Sequence, residues 1–458
     1  HIYPYFQHLS IQLFGASLGG LRMASTIFGT LTVMALYMLG RVVFNRRVGL
    51  LAALLLAVFP PHIHFSRLAL NNIADPLFGV LALWLVVRAL QRGKAADWLL
   101  AGIMLGLTQY FYEGGRLLFP VLVALWLLLY VRQLPLRAWL YWALGFILIA
   151  FPIYYVLWLW RAAPVTRLVL EGVGNDFWAR FLAADAGFPQ LALYFRERFM
   201  PSLLHIFHTP DGSAFYYGGD TPLLWLPLVP FFFMGVAIAV RNGKRGLLLL
   251  MWLLLTVLGN SLIVENDWSA RFVVLFPALA LLMALGLDGL FHLWRMAAIP
   301  ARFLRHVWLA GVALLAVGQI GYYFGAHLTR YNQQIRPFRD HQDVGFRSAL
   351  LPANTDVYLL TNELTFQPHI DTHFRLVGVE GVRVVILPPW AYPYESIHRL
   401  PLNNTSFFFA PDDAETLWRL RRAYGTCLDG PFFSPYNVPL EKQYVQYDVL
   451  LVCLQNAP

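Results

Sequence analysis

About ten stretches of this chain are long and apolar enough to cross a lipid bilayer, and most follow one another through short connections. A membrane-spanning helix needs about 20 apolar residues, with roughly 17–25 usual. The stretches lie at approximately 21–40, 48–64, 75–91, 97–112, 116–131, 138–160, 222–240, 247–264, 271–294 and 306–326. The second and fourth are short and end in polar, aromatic segments. Only 13% of the 458 residues are charged and 59% are hydrophobic, and the mean hydropathy is +0.57. That is too little charge to clothe a soluble protein of this size. The 15 Trp and 22 Tyr suit the water–bilayer interface, which accommodates rings that are wet at one end and apolar at the other.

Charge orients the spans. Short loops on one side hold Arg41, Arg46, Arg47, Arg88, Arg92, Lys94, Arg132, Arg137, Arg241, Lys244, Arg245, Arg295, Arg302 and Arg305, fourteen cations. The other side, its long segments aside, holds Arg22, Arg67, Arg116 and Arg271. Lys and Arg gather on the cytoplasmic side, so residues 1–20, the loop 161–221 and the tail after about 327 are expected outside. The net charge of +9 is then a property of cytoplasmic loops, and no nucleic-acid partner is expected. The expected location is the cell (inner, cytoplasmic) membrane, with many passes. The chain opens at His1 with neither an initiator Met nor a signal peptide. It reads as a truncated product whose first span is missing.

Two regions depart from the spanning pattern. In the loop 161–221, "FPQLALYFRERFMPSLLHIF" suits a helix on the outer bilayer surface or an ordinary half-buried helix. Residues 1–326 are thus read as a transmembrane domain and 327–458 as an extracytoplasmic α/β domain. In the latter, "TDVYLLTN", "VRVVIL", "TSFFFAP" and "YDVLLVCLQ" read as strands and "DDAETLWRLRRAYG" as a capped helix. Cys427 and Cys453 are the only cysteines, so no cysteine metal cluster can lie in the spans. On the oxidising side they are expected to form a disulfide, the alternative being two buried thiols.

No phosphate-binding GxxxxGK[ST], HExxH or GxSxG is present. The chemistry-bearing groups are polar residues at the outer face, costly there unless satisfied or used. The first cluster is Arg67 with Asn71, Asn72 and Asp75; the arginine could take a lipid phosphate bidentately or simply snorkel. His62 and His64 could share a metal, but their i,i+2 spacing on an aromatic-rich turn fits interface packing better. The second cluster is "QYFYEGGR", with Tyr110, Tyr112, Glu113 and Arg116. Glu113 and Arg116 could pair on a helix, or Gly114 and Gly115 could open room for a ligand. The third is "VENDWSARF", with Glu265, Asp267 and Arg271. Three basic sites on one side suggest an anionic substrate reached from outside. Asp288 reads as a helix-end partner of Arg295.

The segments "YPYFQHLSIQLFGASLGGLRMASTIFGTLTVMALYMLGRVVF", "RRVGLLAALLLAVFPPHIHFSR", "AGIMLGLTQYFYEGGRLLFP" and "ARFVVLFPALALLMALGLDGL" resemble, in this order, the GT-C glycosyltransferases. The similarity covers roughly residues 1–330 and is closest to the bacterial branch related to protein O-mannosyltransferases and the lipid A aminoarabinose transferase. It implies an α-helical polytopic membrane protein of about ten spans that moves a sugar from a polyprenyl-phosphate donor to a lipid, glycan or protein acceptor at the outer face. Arg67, Arg116 and Arg271 would then hold the donor phosphate in one cavity. Such enzymes commonly use an acidic residue in the first outer loop, which would precede His1. They differ in metal dependence, so a divalent cation is left open. A transporter or lipid flippase would need internal repeats and broken helices near the midplane. A non-catalytic scaffold would leave the outer arginines far apart.

Overall fold

The structure, a computed structural model, describes residues 2–161, 187–213, 215–296, 300–334, 339–362, 381–394, 403–436 and 438–456, with Ala179 and Phe374. The chain forms two compact units. One comprises His1–Leu9 with Arg22–Tyr331, the other Ser10–Leu21 with Asn332–Pro458.

The first unit is helical, and a helix lies on each of the ten apolar stretches. In chain order these are α2 (Leu18–Val43), α3 (Arg46–Ala57) bent into α4 (Pro60–Ser66), α5 (Asp75–Arg92), α6 (Ala95–Leu107), α7 (Glu113–Leu128) and α8 (Leu136–Leu159). The short α1 (Tyr3–Phe14) precedes them. Among the described residues six helices are long and apolar enough to cross a membrane: Leu18–Val43, Asn71–Arg92, Leu136–Leu159, Gly243–Ser261, Val273–Arg295 and Arg302–Gln334. The bent pair Arg46–Ala57 and Pro60–Ser66 makes a seventh if it counts as one span. The expected ten is therefore not reached by length. Residues 48–64, read as one span, turn by 61°. Pro60 and Pro61 open the second piece, where prolines withhold backbone donors and start a new helix. Ala95–Leu107 is short because a 3₁₀ turn, Thr108–Tyr110, ends it.

The loop segment 188–207 is helical as far as Leu204, in α9 (Gly187–Tyr194), a π turn (Phe195–Phe199) and α10 (Met200–Leu204), and ends in a turn. The helices α11 (Val229–Arg241), α12 (Gly243–Ser261), α13 (Phe276–Met296) and α14 (Ala301–Tyr322) complete the bundle. Helix α13 is its buried centre, packed on α3 and α11. Backbone meets backbone there: a Cβ on Gly235 would lie 1.8 Å from the Leu282 carbonyl oxygen, and one on Gly286 2.0 Å from that of Phe231. Lipid gives helices little hydrophobic reason to associate, so such close small-residue contacts hold bundles together. Helix α8, by contrast, exposes Leu144, Ile147, Leu148 and Phe151.

At the ends carrying the basic loops, Arg88 Nε lies 2.9 Å from Asp97 Oδ1 and Lys244 Nζ donates to the Leu129 carbonyl at 2.6 Å. Asp288, expected beside Arg295, instead accepts from Arg47 Nη1 at 3.1 Å and lies 3.5 Å from His292 Nε2. The tertiary neighbour wins because α3 packs on α13.

The second unit holds a five-stranded mixed sheet in the order β2-β1-β3-β5-β4, with β1 (Thr355–Leu360), β2 (Arg383–Leu387), β3 (Asn404–Phe409), β4 (Leu428–Phe432) and β5 (Val445–Val449). β1 pairs in parallel with β2 and β3, while β5 runs antiparallel to β3 and β4. The helix Ala414–Tyr424 starts on Asp413, whose side chain accepts from Thr416 N at 3.0 Å, and stops at Gly425 with φ +56°. The final expected strand is only half right: β5 ends at Val449, and Leu451–Asn456 is a helix. Cys453 therefore lies on that helix, and it does bond Cys427, with Cα atoms 5.6 Å apart. Closing a loop of this length contributes about 3–4 kcal/mol in the chain-entropy view.

Candidate lipid-phosphate cavity

Asp75, Tyr112 and Glu113 come together at the start of α7. Asp75, fully buried, accepts from Tyr112 N at 3.0 Å and from Gly115 N at 2.9 Å. It thereby satisfies backbone donors that a helix N-terminus leaves open. Gly115 is required here, because a Cβ would fall 2.4–2.7 Å from the Asp75 side chain. Asp75, one of the expected site residues, is thus the clamp that places Tyr112 and Glu113.

Arg116 points inward. Its Nε donates to the Gln109 carbonyl at 3.0 Å, and the Gln109 side chain in turn accepts from the Tyr154 hydroxyl at 2.8 Å. The Tyr110 hydroxyl donates to the Ile149 carbonyl at 2.7 Å. Asn71 donates to the Phe111 carbonyl at 3.2 Å, and Asn72 to that of Ala270 at 3.1 Å, beside Arg271.

Arg271 ends a 3₁₀ turn, Ser269–Arg271, and is buried. Its Nη2 meets Glu265 Oε2 at 2.6 Å, its Nη1 donates to the Glu265 carbonyl, and its guanidinium lies over Trp268. The turn is pinned by a residue that sequence reading missed. Asp211 accepts from the backbone N–H of Ser213, Tyr217, Gly218 and Ser269 at 3.0–3.1 Å, and from the Ser269 hydroxyl. Its sequence signal is local: Asp before Gly-Ser in a loop favours such side-chain-to-backbone turns. Nearby, burial pushes the His205 imidazole below its ordinary pKa, opposed by Asp211. Asp267 packs its carboxylate against Gly212.

A cavity of about 340 Å³ opens between the first half of α7 and the last half of α12. Its walls include Leu117, Leu118, Val121, Leu255, Leu258 and Ile263, and its polar groups come from Tyr112, Glu113, Thr256, Asn260 and Arg271. Sequence reading missed the Asn260 amide, whose Nδ2 is buried without a hydrogen-bond partner. The apolar wall residues were hidden inside spans, where any Leu reads as lipid-facing.

Of the three arginines expected to share a cavity, only Arg271 lines this one. Arg116 is drawn off by the Gln109 carbonyl. Arg67 is exposed over the Phe324 ring at 5.4 Å, with its Nη1 3.5 Å from the Tyr323 hydroxyl. His62 and His64 do not converge either. His62 meets the Gly29 carbonyl at 3.2 Å, while His64 meets the Tyr216 carbonyl at 2.8 Å and the Tyr323 hydroxyl at 3.2 Å.

A partly open apolar cleft with a buried guanidinium and an amide donor in its lining suits an amphiphile with an anionic head. Residues 2–160 match the model of the family described as dolichyl-phosphate-mannose-protein mannosyltransferase. No curated protein sequence matches the chain. Among solved structures it is similar to ArnT from Cupriavidus metallidurans bound to undecaprenyl phosphate, with TM-score 0.54 and 14% identity over 97% of this chain and 87% of that one. The apo state of the same protein gives TM-score 0.52 and 15% identity over 98% and 87%. The chain is accordingly a multi-pass membrane protein that shares the fold of ArnT, with residues 2–160 matching the dolichyl-phosphate-mannose-protein mannosyltransferase family model.

Proposed function

We propose that the chain transfers a sugar from a polyprenyl-phosphate-linked donor to an acceptor at the outer face of the cell membrane. The observation that carries this is the apolar cavity with Arg271 in its lining, in a fold shared with a protein whose structure holds undecaprenyl phosphate. In the reaction the bond from the sugar C1 to the phosphate oxygen breaks, and its electron pair stays on the phosphate. A bond from C1 to the acceptor oxygen forms, and the acceptor hydroxyl gives up its proton to a base. The leaving group is already an anion, so a buried cation stabilises it without protonating it. The polyprenyl chain fits the Leu and Val walls, and Asn260 adds a second donor near the head. The loop-charge bias supports ten crossings, with the C-terminal domain on the donor side. A scaffold has no use for an apolar cavity that bears a buried guanidinium.

The test compares two lipids with the same tail. The full chain in lipid nanodiscs is expected to bind undecaprenyl phosphate roughly tenfold or more tightly than undecaprenol, because charge-assisted contacts contribute about 1.5–3 kcal/mol. Native mass spectrometry measures the ratio. Equal binding of phosphate and alcohol contradicts the proposal.

A further inference from the structure

Building on the donor site proposed above, we propose that Glu265 is the group that expels the spent lipid phosphate from Arg271. The guanidinium is held on two sides by this one residue, through carbonyl and carboxylate. Burial is unequal: the Arg271 side chain is 3% exposed and that of Glu265 37%. The cation is fixed in the wall, and its carboxylate partner reaches solvent.

Both neighbours of Glu265 are tied to Arg198, one through its backbone carbonyl and one through its side-chain amide. Arg198 Nη1 donates to the Val264 carbonyl at 3.2 Å, and Asn266 Nδ2 donates to the Arg198 carbonyl at 2.8 Å. The carbonyl contact therefore stays while the Glu265 side chain swings. An arriving phosphate can take the Nη2 donor as the carboxylate turns to water, and the carboxylate can return with no loop movement.

The reaction itself makes such a competitor useful. The donor is a phosphodiester with one negative charge. The product is a phosphomonoester, which carries about −1.5 to −2 at pH 7. Chemistry thus increases the charge facing Arg271, and an unopposed guanidinium would hold product more tightly than donor. A carboxylate at the same guanidinium repels the dianion about twice as strongly as the monoanion. It discriminates by adding a repulsive element against the wrong ligand.

The experiment measures the affinity of two probes, undecaprenyl phosphate and its methyl phosphodiester. It uses the full chain in nanodiscs at about pH 8, above the second phosphate ionisation near 6. Glu265→Gln is expected to bind the monoester about fivefold more tightly than the native chain and the diester about twofold more tightly. Glu265→Asp, which keeps the charge, is expected to stay within about twofold of the native chain for both probes. Unchanged or weaker monoester binding by Glu265→Gln, or equal tightening toward both probes, overturns the role of Glu265. A native chain that binds neither probe, or an Arg271→Ala variant that binds both as well as the native chain does, overturns the donor site itself. Weakened binding by Arg271→Ala beside an unaltered Glu265→Gln removes only the inference about Glu265.

Discussion

Replacing Arg271 with Ala is expected to weaken undecaprenyl phosphate binding by roughly tenfold or more, the cost of losing a charge-assisted contact in a buried site. Arg271 is buried, lines the cavity and stands on a turn fixed by Asp211. Its charge therefore meets a phosphate with little screening or loss of side-chain freedom. Arg271→Lys is expected to recover part of the affinity, since an ammonium keeps the charge but not the planar fork. Arg67→Ala is expected to bind like the native chain, because the Arg67 guanidinium is exposed over Phe324 rather than in the cavity. Direct binding measurements on the three variants separate them. If Arg67→Ala loses as much affinity as Arg271→Ala, the phosphate sits elsewhere.

Asp75→Ala is expected to lower the stability of the helical unit by about 3 kcal/mol, since two buried backbone donors lose their acceptor at roughly 1–3 kcal/mol each. The donors are those of Tyr112 and Gly115, at the first turn of α7. Tyr112 and Glu113 stand on the same turn and line the cavity, so binding should fall with the fold. Asp75→Asn keeps the shape and one good acceptor, so its loss is expected to be about half as large. Unfolding curves in mixed micelles measure both variants. A fully stable Asp75→Ala protein would show that the carboxyl serves a ligand rather than the helix.

These two residues show how much the sequence made legible. Asp75 and Arg271 were both marked as outer-face polar groups, because ionisable side chains at a membrane surface need a reason to be there. Their roles were not distinguishable. Asp75 caps a helix that starts 38 residues later in the chain, and a long-range cap leaves no local signature. Arg116 and Arg271 look equivalent in sequence, but only the fold shows that the Gln109 carbonyl turns one inward. Asp288 was assigned to the nearest cation along its own helix, whereas the packed neighbour supplied Arg47. The strands β1, β2 and β3 and the helix after Asp413 were readable because each has a local pattern of apolar runs or caps. The segment Tyr447–Gln455 was read as one strand because its apolar run does not show where strand yields to helix.

The most direct measurement places a photoreactive benzophenone side chain at position 117 or 258, on the two walls of the cavity, or at position 314, where Leu314 lies exposed on α14. Each protein is irradiated in nanodiscs with undecaprenyl phosphate, and adduct mass is read by mass spectrometry. If the cavity takes the polyprenyl tail, positions 117 and 258 carry the lipid and position 314 does not. Arg271→Ala then removes most of the adduct, and excess undecaprenol fails to compete. Equal labelling at position 314, or adducts at 117 and 258 that persist without Arg271, would contradict a donor site in this cavity.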